Sequence, residues 1–294
     1  MAKKKDSFNP DQYAIQKSSP VFRVVSTVLL IIWSALNLYP LFWMITFSLK
    51  DNMQITKTAM YGLPKGAPSE WIWKNYKDLQ IKDILMYFKN SAIVTFLAIL
   101  ISMIAAMMAS YALMRIKWKF RGAINKMFML GITIPVQASL VPVFIIAKNL
   151  GWIDTRMALI IPYAAFSLSM SILISNGFMT NIPMDLDEAA YIDGCSRYGV
   201  FFRIIVPLML PAVSTIAIYS FLQCWNELMF ASTFISTKEL RTLPSGLRQL
   251  TGTYTTNFGL VGAAITVATI PTIIIYILLS RKIQESFIAG AVKG

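Results

Sequence analysis

The chain has no histidine, two cysteines and few charges: only 14% of its 294 residues are Asp, Glu, Lys or Arg. Each shortage excludes something. Without histidine, the commonest general base and the commonest metal ligand are missing. Two cysteines, Cys195 and Cys224, lie in unlike contexts and give neither a disulfide framework nor a metal-ligand spacing. No G-x4-G-K-[ST] loop is present, so nothing in the chain cradles a nucleotide phosphate in the manner of a Walker motif. A soluble domain carries about a quarter charged residues, and this chain falls well short of that. There is no repeat at a fixed period and no low-complexity stretch.

What is abundant is apolar: 56% of the residues, with a mean hydropathy of +0.59. The apolar residues come in six runs, at 24–49, 91–114, 127–147, 157–178, 204–230 and 260–280, which together hold one charged side chain, Glu227. Each is about the ~20 residues that a helix needs to cross the hydrocarbon. A lone strand there would leave its amides unpaired, so the runs are read as helices. The fold class expected is therefore all-α, a polytopic membrane protein with six transmembrane helices. The first run is longer than a signal-peptide core and has no small-x-small cleavage site, so it is read as a retained helix.

The net charge of +13 is unevenly placed. Lys3, Lys4, Lys5, Lys17 and Arg23 precede the first run, and Arg115, Lys117, Lys119, Arg121 and Lys126 crowd the loop after the second. The 148–156 and 231–259 loops hold two and three basic residues. This asymmetry puts both termini on the cytoplasmic side, and it assigns the basic charge to membrane lipid rather than to nucleic acid. The 50–90 segment, outside in this scheme, runs against the trend with seven lysines, diluted by Asp51, Glu70, Asp78 and Asp83. Its Pro64, Gly66, Pro68, Trp71 and Trp73 predict a structured loop at the interface, where tryptophan concentrates. The divisions expected are a cytosolic tail at 1–20, a first helix with outer loop at 21–85, a five-helix core at 86–281 with an inner loop at 179–203, and a cytosolic tail at 282–294. Pro40, Pro135, Pro142, Pro162, Pro211 and Pro271 fall within the runs, and six such breakers point to bent helices around a cavity.

The inner loop between the fourth and fifth runs carries the most information. It predicts two short helices joined at Gly194, which can take the left-handed conformation that stops a helix. Pro183 suits the first turn of the first helix, and Asp185, Asp187 and Glu188 favour the positive end of its dipole. Ser196 is the candidate cap of the second, and Ala189 and Ala190 offer a small face that another surface can approach.

This loop resembles the signature of permease subunits of binding-protein-dependent ABC importers, E-A-A-x3-G-x9-I-x-L-P. Glu188, Ala189, Ala190, Gly194, Ile204 and Pro207 match at the right spacing, and Val206 stands where leucine is usual. Ile182-Pro183, the Ala190-Tyr-Ile-Asp-Gly-Cys195 stretch, Trp225-Asn226-Glu227 and the C-terminal Phe287-Ile-Ala-Gly-Ala-Val-Lys-Gly294 are similar to the carbohydrate branch, specifically the smaller, six-helix partner of maltose-type permeases.

The resemblance implies a type I ABC importer permease fold in a prokaryotic plasma membrane. It implies a heterodimer with a second permease, two ATPase subunits that hold ATP and magnesium, and an extracytoplasmic sugar-binding protein. This chain would itself bind no cofactor or metal and catalyse nothing. A coupling helix over 184–193 would seat in the ATPase, with Asp185, Glu188, Ala189, Ala190, Asp193, Gly194, Ile204 and Pro207 as the coupling residues. Gln137, Asn176, Gln223, Asn226 and Glu227 are candidates for the translocation path or its gate, although bonding between helices is the commoner role for such amides. Tyr163, Phe166 and Tyr219 are aromatic candidates for stacking on a sugar, with packing the commoner role. Leu250, Thr251, Gly252, Thr253 and Tyr254, in the long outer loop, are candidate contacts to the binding protein. The rival readings are a permease for a non-sugar solute and an ion-coupled secondary transporter, for which one intramembrane carboxylate is thin support.

Overall fold

A computed structural model describes residues 19–58, 61–251 and 257–291. Among them every regular element is helical. Helix α1 (Pro20–Ser48) opens at Ser19, whose hydroxyl accepts the Phe22 amide. Of the 50–90 segment expected as a structured loop, 50–80 is one, with a π turn at Gln54–Thr58, a 3-10 turn at Pro68–Glu70 and the single turn α2 (Lys74–Lys77), whereas 81–90 is already part of the helix that carries the second run. Asn75 ties the loop to the end of α1 by donating to the carbonyls of Ser48 and Lys50.

Helix α3 (Ile81–Met114) carries the second run. The third run is broken. It forms α4 (Arg121–Gly131) and, after a 3-10 turn, α5 (Leu140–Asn149), which meet at 97°. Pro135 has no amide for the carbonyl of Gly131, and α4 ends at Gly131. The fourth run is α6 (Met157–Thr180), followed by α7 (Asp185–Ile192) and α8 (Arg197–Val200) of the inner loop. The fifth run is broken twice. A π turn at Phe201–Ile205 leads into α9 (Val206–Leu208), the chain bends by 71°, and α10 (Leu210–Trp225) follows. Pro211 cannot donate to Pro207, which places the bend at Met209. The helix stops again at Asn226 before α11 (Met229–Phe234). Beyond the short α12 (Leu243–Arg248) lies α13 (Phe258–Ala291), which carries the sixth run. By contrast Pro40, Pro162 and Pro271 sit inside helices that continue through them.

The centre of the bundle is the pair α3 and α6. Val94, Ala98, Ser102, Ala106 and Ser110 recur every four residues along α3 and are buried, and Ser167, Ser171 and Ser175 do the same on α6. Small side chains at this spacing let two backbones approach closely in a membrane, where packing replaces the hydrophobic effect as the driving force. Ser110 spans the seam, its hydroxyl donating to the Ile172 carbonyl at 3.4 Å. Helix α10 leans on both, and α13 closes the bundle against α1 and α10. The α1 segment from Val21 to Phe42 stays exposed on every face, as an apolar helix in contact with lipid or another membrane chain would.

Candidate functional site

Two places in the molecule gather the candidate residues. The first is the end that carries the 179–203 loop, called the inner end after the side that the charge asymmetry assigns to it. Gly194 takes φ +81°, and the Ser196 hydroxyl accepts the Gly199 amide at 3.2 Å, so the stop and the cap fall where the sequence predicts. Pro183 does not: α7 begins at Asp185, leaving Pro183 outside the first turn.

Helix α7 has two unlike faces. Asp187 and Ala190 turn inward, Ala190 into a cluster with Met107, Tyr111, Met179, Val200, Phe201 and Ile205. Ala190 therefore packs against its own bundle, and of the small pair Ala189 alone is presented outward. Asp185, Glu188, Ala189, Asp193 and Gly194 are exposed, with Ile192 at 86% and Tyr198 at 79% beside them. Of the remaining signature positions, Ile204 is half-buried against the same cluster and Pro207 is exposed.

An anchor holds this helix that the sequence reading counted merely as loop charge. The Arg115 guanidinium lies 3.8 Å from the Asp187 carboxylate, with both side chains under 10% exposed. It also donates to the carbonyls of Met179 and Ile182, at 3.0 and 2.6 Å. One side chain thus joins the ends of α3, α6 and α7. Burial pushes the Asp187 carboxyl above its usual range, and Arg115 partly offsets that. The signal in the sequence was an arginine one residue past the end of a span, facing an acidic loop.

The second place is a cleft of about 340 Å³ near the other end. It forms where the two broken helices face each other. The turn after Pro135 supplies Val136 and Gln137, α10 supplies Tyr219, Leu222, Gln223 and Cys224, and the break before α11 supplies Asn226, Glu227 and Leu228. Tyr163, Phe166 and Ser167 of α6 form its back wall. The structure so brings together Gln137, Gln223, Asn226 and Glu227 with all three candidate aromatics. Asn176 is elsewhere: its amide donates to Asn125 Oδ1 at 3.0 Å, tying α6 to α4.

Glu227 accepts three hydrogen bonds, from the Tyr163 hydroxyl at 2.5 Å and from the amides of Phe230 and Ala231 at 2.9 and 3.1 Å. It holds the start of α11 and ties it to α6. A carboxylate here is tolerated because donors replace its water. Gln137, Gln223 and Asn226 line the cleft, where the Asn226 amide also donates to the Leu222 carbonyl at 3.0 Å and Gln223 to the Tyr219 hydroxyl at 3.5 Å.

The outer loop candidates divide. Leu250 packs against the cluster built on Leu79, Tyr87, Leu243 and Ala264, whereas Thr251 is exposed. Gly252, Thr253 and Tyr254 lie outside the described residues. The preceding part of this loop is firmly seated. Asn90 donates to the carbonyls of Glu239 and Arg241, and Leu243 donates to Ser91. Gly246 lies so close to the Tyr87 ring that a Cβ would stand 2.3 Å from it. Asp154, at φ 62°, accepts the amides of Ser236 and Thr237, and these bonds with the Thr237 hydroxyl hold its carboxyl below the usual range.

With this geometry in place, the known proteins it resembles fall into one class. Residues 98–287 match the family of binding-protein-dependent transport system inner membrane components. The chain belongs to that family: it is a multi-pass membrane permease with the all-α fold of ABC importers. Its relatives include a probable ABC transporter permease, YurM, of Bacillus subtilis, 34% identical with 99% of both chains covered. The trehalose/maltose transport system permease MalG of Thermococcus litoralis is 35% identical over 92% of this chain and 98% of its own. The diacetylchitobiose uptake system permease NgcG of Streptomyces coelicolor is 30% identical over 94% and 91%. Among solved structures, a chain of a bacterial ABC transporter that imports the acidic polysaccharide alginate superimposes with a TM-score of 0.76. At 22% identity over 90% of this chain and 97% of that one, it shares the fold.

Proposed function

We propose that this chain is the smaller permease of a carbohydrate importer, with its termini in the cytoplasm, paired with a second permease and driven by two ATPase subunits. The observation that carries the reading is the two-faced α7. Its underside is locked to the bundle by Arg115–Asp187 and by Ala190, while Glu188, Ala189 and Ile192 on its other face stay exposed among the described residues. A helix built this way transmits a push: closure of an ATPase pair beneath would move α7 and the inner ends of α3 and α6 as one body. A partner that binds one state better shifts the equilibrium between cavity orientations, which is the thermodynamic content of alternating access. Glu188 is the contact to the ATPase that the exposed face favours, with Asp185 and Asp193 flanking it.

The cleft at Gln137, Gln223, Asn226 and Glu227 is this chain's share of the path. Amides and aromatic rings around a few hundred Å³ suit a polyhydroxylated solute, and the relatives named for trehalose/maltose and diacetylchitobiose support a di- or oligosaccharide. Residues 250–256 meet the extracytoplasmic binding protein. Deleting them slows uptake and leaves basal ATP hydrolysis intact; unchanged uptake removes this assignment.

The whole reading is tested by pulling the tagged chain from native membranes in mild detergent and identifying what comes with it by mass spectrometry. An ATPase, a second permease and a sugar-binding protein are expected. A chain recovered alone, or with copies of itself, contradicts the importer and favours an ion-coupled carrier.

A further inference from the structure

The charge of the cleft bears on which carbohydrates can pass. Among its described lining residues there is no lysine or arginine, and one ionic group, Glu227. That carboxylate is fixed by three donors, one a hydroxyl of the back wall and two at the start of α11, so it cannot swing away from a passing solute. The other polar side chains of the lining, the amides of Gln137, Gln223 and Asn226, the hydroxyls of Tyr163, Ser167 and Tyr219 and the Cys224 thiol, are neutral. An acidic sugar would have to lose water beside a fixed negative charge, in a site half shielded from solvent, with no cation in this wall to replace its hydration.

We propose that this permease admits uncharged carbohydrates and excludes acidic ones such as uronates and sulfonated sugars, with Glu227 as the residue that sets the exclusion. The inference rests on the cleft being part of the path, and the two ideas fail differently. A neutral sugar needs hydroxyl partners, which the amides supply, and aromatic faces, which Tyr219 and Phe166 supply. It carries nothing for Glu227 to repel. The same arrangement would discourage anions of any kind while leaving neutral solutes unaffected. The fold of the alginate importer, shared at 22% identity, places no such demand on the lining residues of this chain.

The test uses the assembled importer with Cys195 and Cys224 replaced by alanine and Gln223→Cys introduced at the exposed edge of the cleft. Its reaction with a cationic and an anionic methanethiosulfonate is timed, each rate divided by that of the same reagent on free mercaptoethanol. The normalised rates should favour the cation by about tenfold, as expected for a unit charge several ångströms away in a partly hydrated site. Adding Glu227→Gln should bring the ratio close to one. A ratio of one or below with Glu227 intact overturns the proposal, whatever the double variant does. In parallel, cells carrying the wild-type importer are given radiolabelled maltose, trehalose, cellobiose and diacetylchitobiose as neutral probes, and digalacturonate and sulfoquinovosyl glycerol as acidic ones. Importer-dependent uptake of either acidic probe also overturns it. The path itself is read separately on Leu222→Cys, an exposed lining position, in the same cysteine-free background: labelling its thiol should stop uptake of the neutral probe that the unlabelled variant takes up. If the labelled importer still carries it, the cleft is not in the path, and the charge inference falls with it even where the reagent ratio holds.

Discussion

The two ends of the bundle are held by different chemistry. The inner end depends on a buried ion pair and an apolar cluster beneath α7, and leaves a broad face of α7 and α8 uncovered. The outer end also has apolar clusters, but its ion pair, Lys238–Asp83, is partly exposed, and side chains that hydrogen-bond to backbone do much of the fastening. Asn90 and Asp154 fasten the 236–243 segment, Asn75 fastens the end of α1, and Gly246 seats α12 on Tyr87. The proposed function gives the contrast a use. A lever needs one stiff attachment and a free face, whereas a loop platform needs many small restraints whose loss is local.

The largest expected effect is therefore at Arg115. Arg115→Ala strands Asp187 in a buried site and should cost about 3–5 kcal/mol, seen as a lowered melting temperature of the purified protein in detergent. Replacing both members, Arg115→Met with Asp187→Leu, should be milder than Arg115→Ala alone, because no charge is left unpaired. A double variant no more stable than the single one would show that Arg115 matters for its carbonyl partners rather than for the pair.

At the outer end, Asn90→Ala leaves the carbonyls of Glu239 and Arg241 without their donor, at about 1–3 kcal/mol. The effect should be local: faster protease cleavage within 236–251, with little change in melting. Global unfolding instead would erase the distinction between the two ends. Gly194→Ala should cost about 1–2 kcal/mol, since alanine is strained at φ +81°. It should loosen α7 relative to α8, measured as increased amide exchange over 190–200.

The smallest effect is a pH dependence. The Asp154 carboxyl titrates below its unfolded value, so the stability it lends is present above the unfolded pKa and is lost as pH falls through the depressed folded one. Cleavage of the outer loop should accelerate in acid for the wild type, and Asp154→Asn should flatten that response.

Much of the molecule was legible beforehand. The six apolar runs, the left-handed Gly194, the Ser196 cap and the folded 50–80 segment follow from local chemistry, which a sequence displays directly. The breaks were half legible. Pro135 and Pro211 announce missing amides, but Pro40, Pro162 and Pro271 announce the same and are absorbed within continuous helices. Which of them breaks a helix is decided by what packs alongside, and Gly131 against Ser169 is one such neighbour. The four-residue ladder of Ala98, Ser102, Ala106 and Ser110 was visible in the sequence as a small-residue spacing, yet its partner on α6 is known only from the fold. Arg115 with Asp187, and Tyr163 with Glu227, join residues more than sixty positions apart. Nothing local pairs them. Asn176 took the commoner of the two roles open to it, bonding between helices, but an amide inside a helix does not declare which neighbour it faces.

The central claim is that α7 passes work from an ATPase into the bundle through its exposed face. Glu188 tests it most directly, because its side chain is exposed and makes no hydrogen bond or ion pair among the described residues, so changing it leaves the fold alone. Membrane vesicles bearing wild-type and Glu188→Lys importer would be compared for sugar uptake, ATP hydrolysis and recovery of the ATPase with the tagged chain. The account predicts a chain of unchanged melting temperature that has lost the ATPase, or keeps it and hydrolyses ATP without uptake. Full uptake with the ATPase still bound would contradict it.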